Sequence, residues 1–332
     1  MNMKRIEIIE FLKGYSIFTI IIFHFLQTFH FQNIVGKLIS FGGTGVHLFI
    51  LLSGFGLYYS HIHKPLSFVS FIQKRITKIY FPYIVIVLIS ALIALFIPIF
   101  KNSLYALGGH IFLYKMFDES IMGSYGYPLW FISMIIQFYI TFNLIVLLKE
   151  KTGNKLFLIT CFITSILWTI LVIYLGKETV RVWNSFFVRY LWEFALGMVL
   201  ASEFKRNGYK LNFNLKPIYY LLIGILNCGL YALLALKGGD IGKMTNDIPA
   251  LIGYSSLAIW IYLIYNKTIN GFFLYTGKIS YSLYLIHTLT VSIVLYYFSN
   301  FQISISLIVA LILTYILANL FQNGINFAYQ KK

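Results

Sequence analysis

Charged residues are scarce in this 332-residue sequence: they make up 11% of it, against roughly 25% in an average soluble domain. So little charge cannot cover a water-facing surface of this size, which excludes a soluble globular enzyme and a disordered chain. Cysteine is also scarce. Cys161 and Cys228 lie in apolar runs and form no CxxC motif, so the sequence indicates neither a disulfide framework nor a metal site.

Long apolar runs fill most of the chain instead. Apolar residues make up 59% of the sequence and the mean hydropathy is +0.81. A helix crosses a bilayer with about 20 mostly apolar residues. We therefore predict an all-α, polytopic membrane protein forming a single domain over residues 1–332. Ten spans are expected, at residues 11–31, 42–60, 79–100, 127–148, 156–175, 185–203, 217–236, 248–265, 279–298 and 303–322.

The formal net charge of +16 is explained by the distribution of lysine and arginine over the loops. With both termini placed in the cytoplasm, 18 of the 26 basic residues lie on the inner side and seven on the outer side. This asymmetry follows the positive-inside rule. The excess positive charge therefore orients the helices without a nucleic-acid partner, and a basic inner face can also attract an anionic ligand.

Polar residues inside apolar spans are costly and mark functional candidates. Lys13 and His24 are eleven residues apart in the first span, so both side chains face the same way, with a rise of about 16.5 Å between them. Other spans place further polar residues at a similar depth, and these are Ser53, Gln137, Glu193 and His287. Each also has a simpler interpretation, such as an interhelical hydrogen bond, a close contact at Ser53-Gly54 or an ion pair between Arg189 and Glu193.

Several short sequence motifs resemble those of the membrane acyltransferase family 3 and occur in the same order along the chain. Lys13 and His24 match its opening basic-residue and histidine pattern, with lysine where many members have arginine. His47 replaces the common aspartate of the second-helix signature, and Lys78 replaces the second arginine of a cytoplasmic RxxR stretch. The matching segments are 11–24, 45–55, 71–82, 129–131 with 138–139, 189–197 and 279–287.

The resemblance implies transfer of an acyl group, usually acetyl, from cytoplasmic acetyl-CoA to a hydroxyl of a cell-envelope glycan or lipid-linked saccharide. It implies a bacterial cytoplasmic membrane, no permanently bound cofactor, and a separate extracytoplasmic transferase for any later transfer step. His24 is expected to act as general base or acyl carrier, with Glu193 or His287 orienting it. The remaining candidates are Lys13, Lys74, Arg75 and Lys78 for CoA phosphates, and Ser53, Trp130, Gln137, Tyr139 and Tyr281 for substrate or structure.

Two other classes of protein share the hydropathy pattern. A polysaccharide exporter or polymerase also has ten or more spans, but it would be expected to carry a long outer loop with several arginines, whereas the outer loops here contain only Arg181. A sensor or scaffold could keep the fold without the chemistry, and the presence of Lys13 and His24 argues against it. Turnover of labelled acetyl-CoA distinguishes the enzyme from both.

Overall fold

The computed structural model describes residues 6–27, 42–211, 213–298 and 303–330, and these residues form helices without strands. The first half of the chain contains α1 (Glu7–Gln27), α2 (Gly45–His63), α3 (Phe68–Arg75), α4 (Phe81–Ile93) and α5 (Leu104–Ile111). The second half contains α6 (Trp130–Tyr174), α7 (Arg181–Asn184), α8 (Leu191–Arg206), α9 (Pro217–Thr245), α10 (Asp247–Leu263), α11 (Lys267–Lys278), α12 (Ser280–Tyr297) and α13 (Ile303–Gln330).

Within the described ranges, six helical segments are long and apolar enough to cross a membrane. The prediction of an all-helical, multi-pass protein is therefore confirmed. The segment 127–174 contains two of the predicted spans, and non-helical backbone at Gly153, where φ is 73°, divides α6 into two helices.

The predicted count of ten spans remains a prediction, as does the orientation of the termini. The helices α8 and α10 have 16 and 17 residues, shorter than the spans predicted there. The helix α12 qualifies as a span only together with α11. The third span begins earlier than predicted, at Phe68, because α3 and α4 form one apolar segment that ends at Ile93.

The chain divides into two compact units built from non-consecutive segments. Unit 1 contains Met1–Phe23, His30–Leu66 and Thr141–Lys278, and unit 2 contains His24–Phe29, Ser67–Ile140 and Ile279–Lys332. Unit 1 has an apolar core in which Phe11 of α1, Leu48 of α2 and Phe273 of α11 are buried. Many leucines and isoleucines of the long helices are exposed instead, as expected for side chains that face lipid.

The helices α2 and α8 of unit 1 pack with their backbones in direct contact. A Cβ atom at Gly54 would overlap the carbonyl oxygen of Phe194, and one at Gly197 would overlap that of Leu51. Small residues at such crossings allow membrane helices to approach closely. The interpretation of Ser53-Gly54 as a close helix contact is therefore confirmed, and Ser53 lies half-buried beside it.

Substitution of Gly54 by alanine is expected to destabilise the protein by about 1–3 kcal/mol, because the added methyl group forces the two helices apart. Thermal unfolding of the purified protein in detergent measures this effect. Gly56 provides a matched control on the same helix, since a Cβ atom there meets nothing within 4 Å. Equal unfolding temperatures for Gly54→Ala and Gly56→Ala would contradict the close packing.

Unit 2 contains a π-helical segment, Ile76–Tyr80, that joins α3 to α4. It also contains an irregular segment between α4 and α6 that is anchored by a buried lysine. Lys115 is fully buried and its Nζ atom donates hydrogen bonds to the carbonyl oxygens of Ser124 and Gly126, both at 2.8 Å. Burial lowers the pKa of Lys115 to about 7. This lysine holds the backbone just before α6.

Candidate active site

A pair of histidines is the centre of the candidate site in unit 2. His24 lies near the end of α1 and His287 lies in the middle of α12, where it is fully buried. The Nδ1 atom of His24 is 2.9 Å from the Nε2 atom of His287, and the two rings are stacked with their centroids 5.0 Å apart. Two residues, Glu193 and His287, were predicted to orient His24. The structure shows His287 in contact with it.

The backbone of α12 determines which nitrogen atoms of this pair carry protons. The Nδ1 atom of His287 lies 2.7 Å from the carbonyl oxygen of Tyr284 and 3.2 Å from that of Leu283. Carbonyl oxygens only accept hydrogen bonds, so Nδ1 of His287 must donate. In the neutral ring Nε2 of His287 is then an acceptor, and His24 donates to it from Nδ1. The lone pair of neutral His24 is consequently at Nε2, the position of a base or nucleophile.

Lys13 lies on the same helix as His24, as predicted. Eleven residues of helix turn a side chain around the helix axis to within about 20° of its starting direction, so both side chains lie on the same side of α1. The Nζ atom of Lys13 forms an ion pair with Glu10 at 3.1 Å, one turn earlier, and about one third of the lysine side chain is exposed. This pair keeps a cation near the beginning of α1.

Aromatic rings of unit 2 extend from the histidine pair along α12. The ring of Tyr284 lies 6.1 Å from that of His287, and the ring of Tyr281 lies 6.3 Å from that of Tyr284. The hydroxyl of Tyr284 donates to the carbonyl oxygen of Pro128 at 2.7 Å. Trp130 begins α6 immediately after this turn and is buried. Two of the predicted candidates, Trp130 and Tyr281, therefore belong to the same unit as the histidines.

The predicted basic stretch occupies the end of α3 and the π-helical segment. The guanidinium of Arg75 lies 5.2 Å from the ring centroid of Phe71 and 5.8 Å from that of Tyr139. Its Nε atom is buried and has no hydrogen-bond partner within the part of the chain that the structure describes. A donor held in this way is available to an anion. Lys74 is half-buried and Lys78 is exposed beside it.

Gln137 and Glu193 have partners that the sequence did not indicate. The Nε2 atom of Gln137 on α6 lies 3.6 Å from the sulfur of Met116 in unit 2. Glu193 lies in unit 1, where its Oε1 atom is 2.7 Å from Nδ1 of His47. Arg189 precedes the first turn of α8 and does not pair with Glu193 as an intrahelical neighbour. It binds both carboxylate oxygens of Asp247 instead, at 3.1 and 2.5 Å.

His47, Glu193 and Asp247 form a buried cluster that also contains potential metal ligands. Nε2 of His47 is 3.7 Å from Oδ1 of Asp247, so the imidazole lies between two carboxylates, with one nitrogen facing each. Both carboxylate oxygens of Asp247 already accept hydrogen bonds from Arg189. This geometry suits a protonated imidazole, whose positive charge would lie between the carboxyl groups of Glu193 and Asp247.

Sequence reasoning missed Asp247 and Lys115 and gave little weight to His47. The family pattern has aspartate at position 47, so histidine there was read as a departure rather than as a partner of Glu193. Asp247 follows Asn246 at the start of α10 and resembles an ordinary charge in an outer loop. Lys115 lies in a polar connection where an exposed lysine is the normal expectation. No local pattern indicates the burial of either residue.

These features define a multi-pass membrane protein with a hydrogen-bonded histidine pair. The chain matches the family model Acyl_transf_3, described as an acyltransferase domain, over residues 6–321. The chain therefore belongs to this family of membrane acyltransferases, and the resemblance carried by the sequence motifs is confirmed. No curated protein and no solved structure matches the chain.

Proposed function

We propose that the protein is an O-acyltransferase of a bacterial cytoplasmic membrane. It moves an acyl group, acetyl in the simplest case, from cytoplasmic acyl-CoA to a hydroxyl of a cell-envelope or capsular polysaccharide. The observation that carries the proposal is the hydrogen bond between His24 and His287, together with the anchoring of His287 to the backbone of α12. This arrangement supports a base at a defined nitrogen inside an apolar helix bundle, as general-base catalysis requires.

In the proposed reaction, Nε2 of His24 accepts the proton of the acceptor hydroxyl while the hydroxyl oxygen attacks the thioester carbonyl. The carbon–sulfur bond then breaks, the thiolate of CoA leaves, and His24 returns the proton to it. The products are the O-acyl ester and free CoA, so atoms and charge balance. His287 accepts the hydrogen bond from Nδ1 of His24 throughout and favours the ring orientation in which Nε2 reacts.

The basic stretch supports an anionic donor. Arg75 is half-buried between two aromatic rings and has a buried N–H group without a partner among the described residues. Hydrogen bonds between a guanidinium and a phosphate are strong and can be bidentate. We therefore assign the phosphates of CoA to Arg75 with Lys74 and Lys78. CoA is a substrate in this proposal and no resident cofactor is required.

The direct test uses membranes from cells with and without the protein, supplied with acetyl-CoA radiolabelled in the acetyl group. We expect label to appear as alkali-labile esters on an envelope glycan only where the protein is present. Mass spectrometry of the glycans then identifies the modified hydroxyl. An unchanged rate of acetyl-CoA consumption and an unmodified glycan would contradict the proposal and favour an exporter or polymerase.

Substitution of His287 by leucine is expected to lower kcat about 100-fold with little change in the KM for acetyl-CoA, because His24 loses the acceptor that orients it. The amide oxygen of glutamine can also accept a hydrogen bond, so His287→Gln should recover part of the lost rate. Steady-state kinetics on the purified protein measures both parameters. Equal rates for the leucine and glutamine variants would show that His287 acts only through packing.

A further inference from the structure

The π-helical segment Ile76–Tyr80 is held by three tyrosine hydroxyls. Tyr281 of α12 donates to the carbonyl oxygen of Ile79, and Tyr329 of α13 donates to that of Thr77. In the third contact, Tyr80 of the segment itself donates a hydrogen bond to the carbonyl oxygen of Ile111. A π-helical turn is rare and commonly occurs at functional sites. These contacts fix the backbone of this widened turn to its neighbours within unit 2.

The fixed segment determines where the basic stretch lies. Arg75 immediately precedes the π-helical turn and Lys78 lies within it. The positions of both side chains therefore depend on the backbone of this turn, to which Tyr281 and Tyr329 donate hydrogen bonds. A change in the turn would move these two cations relative to Tyr139, against which the guanidinium of Arg75 now packs.

The same helix that holds this turn also carries His287. Tyr281, Tyr284 and His287 occur at every third position of α12, and six residues of helix span about 9 Å. Their rings form a continuous column that ends at His24, with centroid separations of 6.3, 6.1 and 5.0 Å. One rigid helix therefore contacts the basic turn through Tyr281 and the catalytic histidine through His287.

We propose that Tyr281 is a positioning residue that sets the π-helical turn so that Arg75 and Lys78 bind the anionic end of the acyl donor. This inference rests on the proposed function, because it takes acyl-CoA as the donor. Tyr281 acts through the backbone of Ile79 and does not touch the reacting atoms. Its loss therefore weakens recognition of the phosphates and leaves recognition of the phosphate-free arm of the donor unchanged.

The test compares Tyr281→Phe with two tyrosine variants that carry the same chemical change. Displacement of radiolabelled CoA from the purified full chain gives the affinity for CoA and for pantetheine, which lacks the phosphates. In Tyr281→Phe and Tyr329→Phe we expect the Kd for CoA to rise about three- to tenfold, the effect of one lost hydrogen bond, without a change for pantetheine. Tyr284→Phe should leave both affinities unchanged, because its hydroxyl binds Pro128 rather than the turn.

The possible results separate this inference from the function on which it rests. If the wild-type chain binds CoA and Tyr281→Phe binds it equally well, the positioning role is wrong and the proposed donor is retained. A parallel loss of CoA and pantetheine affinity in Tyr281→Phe would show a general structural defect and would also overturn the inference. If the wild-type chain does not bind CoA, both the proposed donor and the inference fail.

Discussion

Substitution of His24 by alanine is expected to lower the rate of acyl transfer by about 10³-fold or more, because the reaction loses its base. Nε2 of His24 is the nitrogen that the hydrogen bonds of His287 leave with a lone pair, and alanine has no equivalent atom. The rate is measured with radiolabelled acetyl-CoA, and the amount of protein in the membrane is measured in parallel. We expect wild-type amounts of the variant in the membrane.

A second histidine variant controls for nonspecific effects of removing an imidazole. His61 lies near the end of α2, where its Nε2 atom is 3.7 Å from a carboxylate oxygen of the half-exposed Glu150. His61→Ala should keep the wild-type rate, since this ring packs against Tyr58 and Phe142 in unit 1 and the histidine pair belongs to unit 2. Retention of full acyl transfer by His24→Ala would exclude His24 as the base.

The sequence predicted the helices of this protein more reliably than their partners. Hydropathy measures how many consecutive residues tolerate lipid, so it identified the apolar segments that became α1, α2, α9 and α13. It also separated two of the predicted spans at the polar residues around Gly153, where the structure has non-helical backbone between two helices.

The histidine pair shows how much of a site the sequence can predict. Both residues were identified as polar groups at a similar depth in separate spans, and helix geometry placed Lys13 on the same side of α1 as His24. The contact between His24 and His287 spans 263 residues of chain, and no local pattern encodes which helices become neighbours. In the sequence Glu193 and His287 were equally good partners for His24, and the structure shows His287 in contact with it.

The sequence suggested the wrong partner for Arg189, and the reason is physical. A spacing of four residues brings side chains together only where both residues belong to one helix. The helix α8 begins at Leu191, after Arg189, and the preceding residues form a turn. The guanidinium therefore extends away from Glu193 towards Asp247, which lies 58 residues later in the sequence.

Substitution of Arg189 by methionine is expected to destabilise the protein by about 3–5 kcal/mol, the usual cost of leaving one member of a buried ion pair uncompensated. The side chains of Arg189 and Asp247 are 8% and 10% exposed, so water cannot replace the lost partner. Arg189 also donates to the carbonyl oxygens of Asn184 and Lys243, which would lose their donor. The free energy of unfolding in detergent, measured by denaturant titration, reports this change.

A double variant separates the loss of charge compensation from the loss of packing. Asp247→Asn removes the carboxylate charge that Arg189 compensates, so Arg189→Met with Asp247→Asn should be more stable than Arg189→Met alone. Lys243→Met is the matched control, because Lys243 forms an exposed ion pair with Asp240 at 2.8 Å and such pairs contribute about 0–1 kcal/mol. If the double variant is no more stable than Arg189→Met, the stability depends on the hydrogen bonds of the guanidinium rather than on its charge. If Arg189→Met is as stable as Lys243→Met, the buried ion pair of Arg189 and Asp247 does not stabilise unit 1.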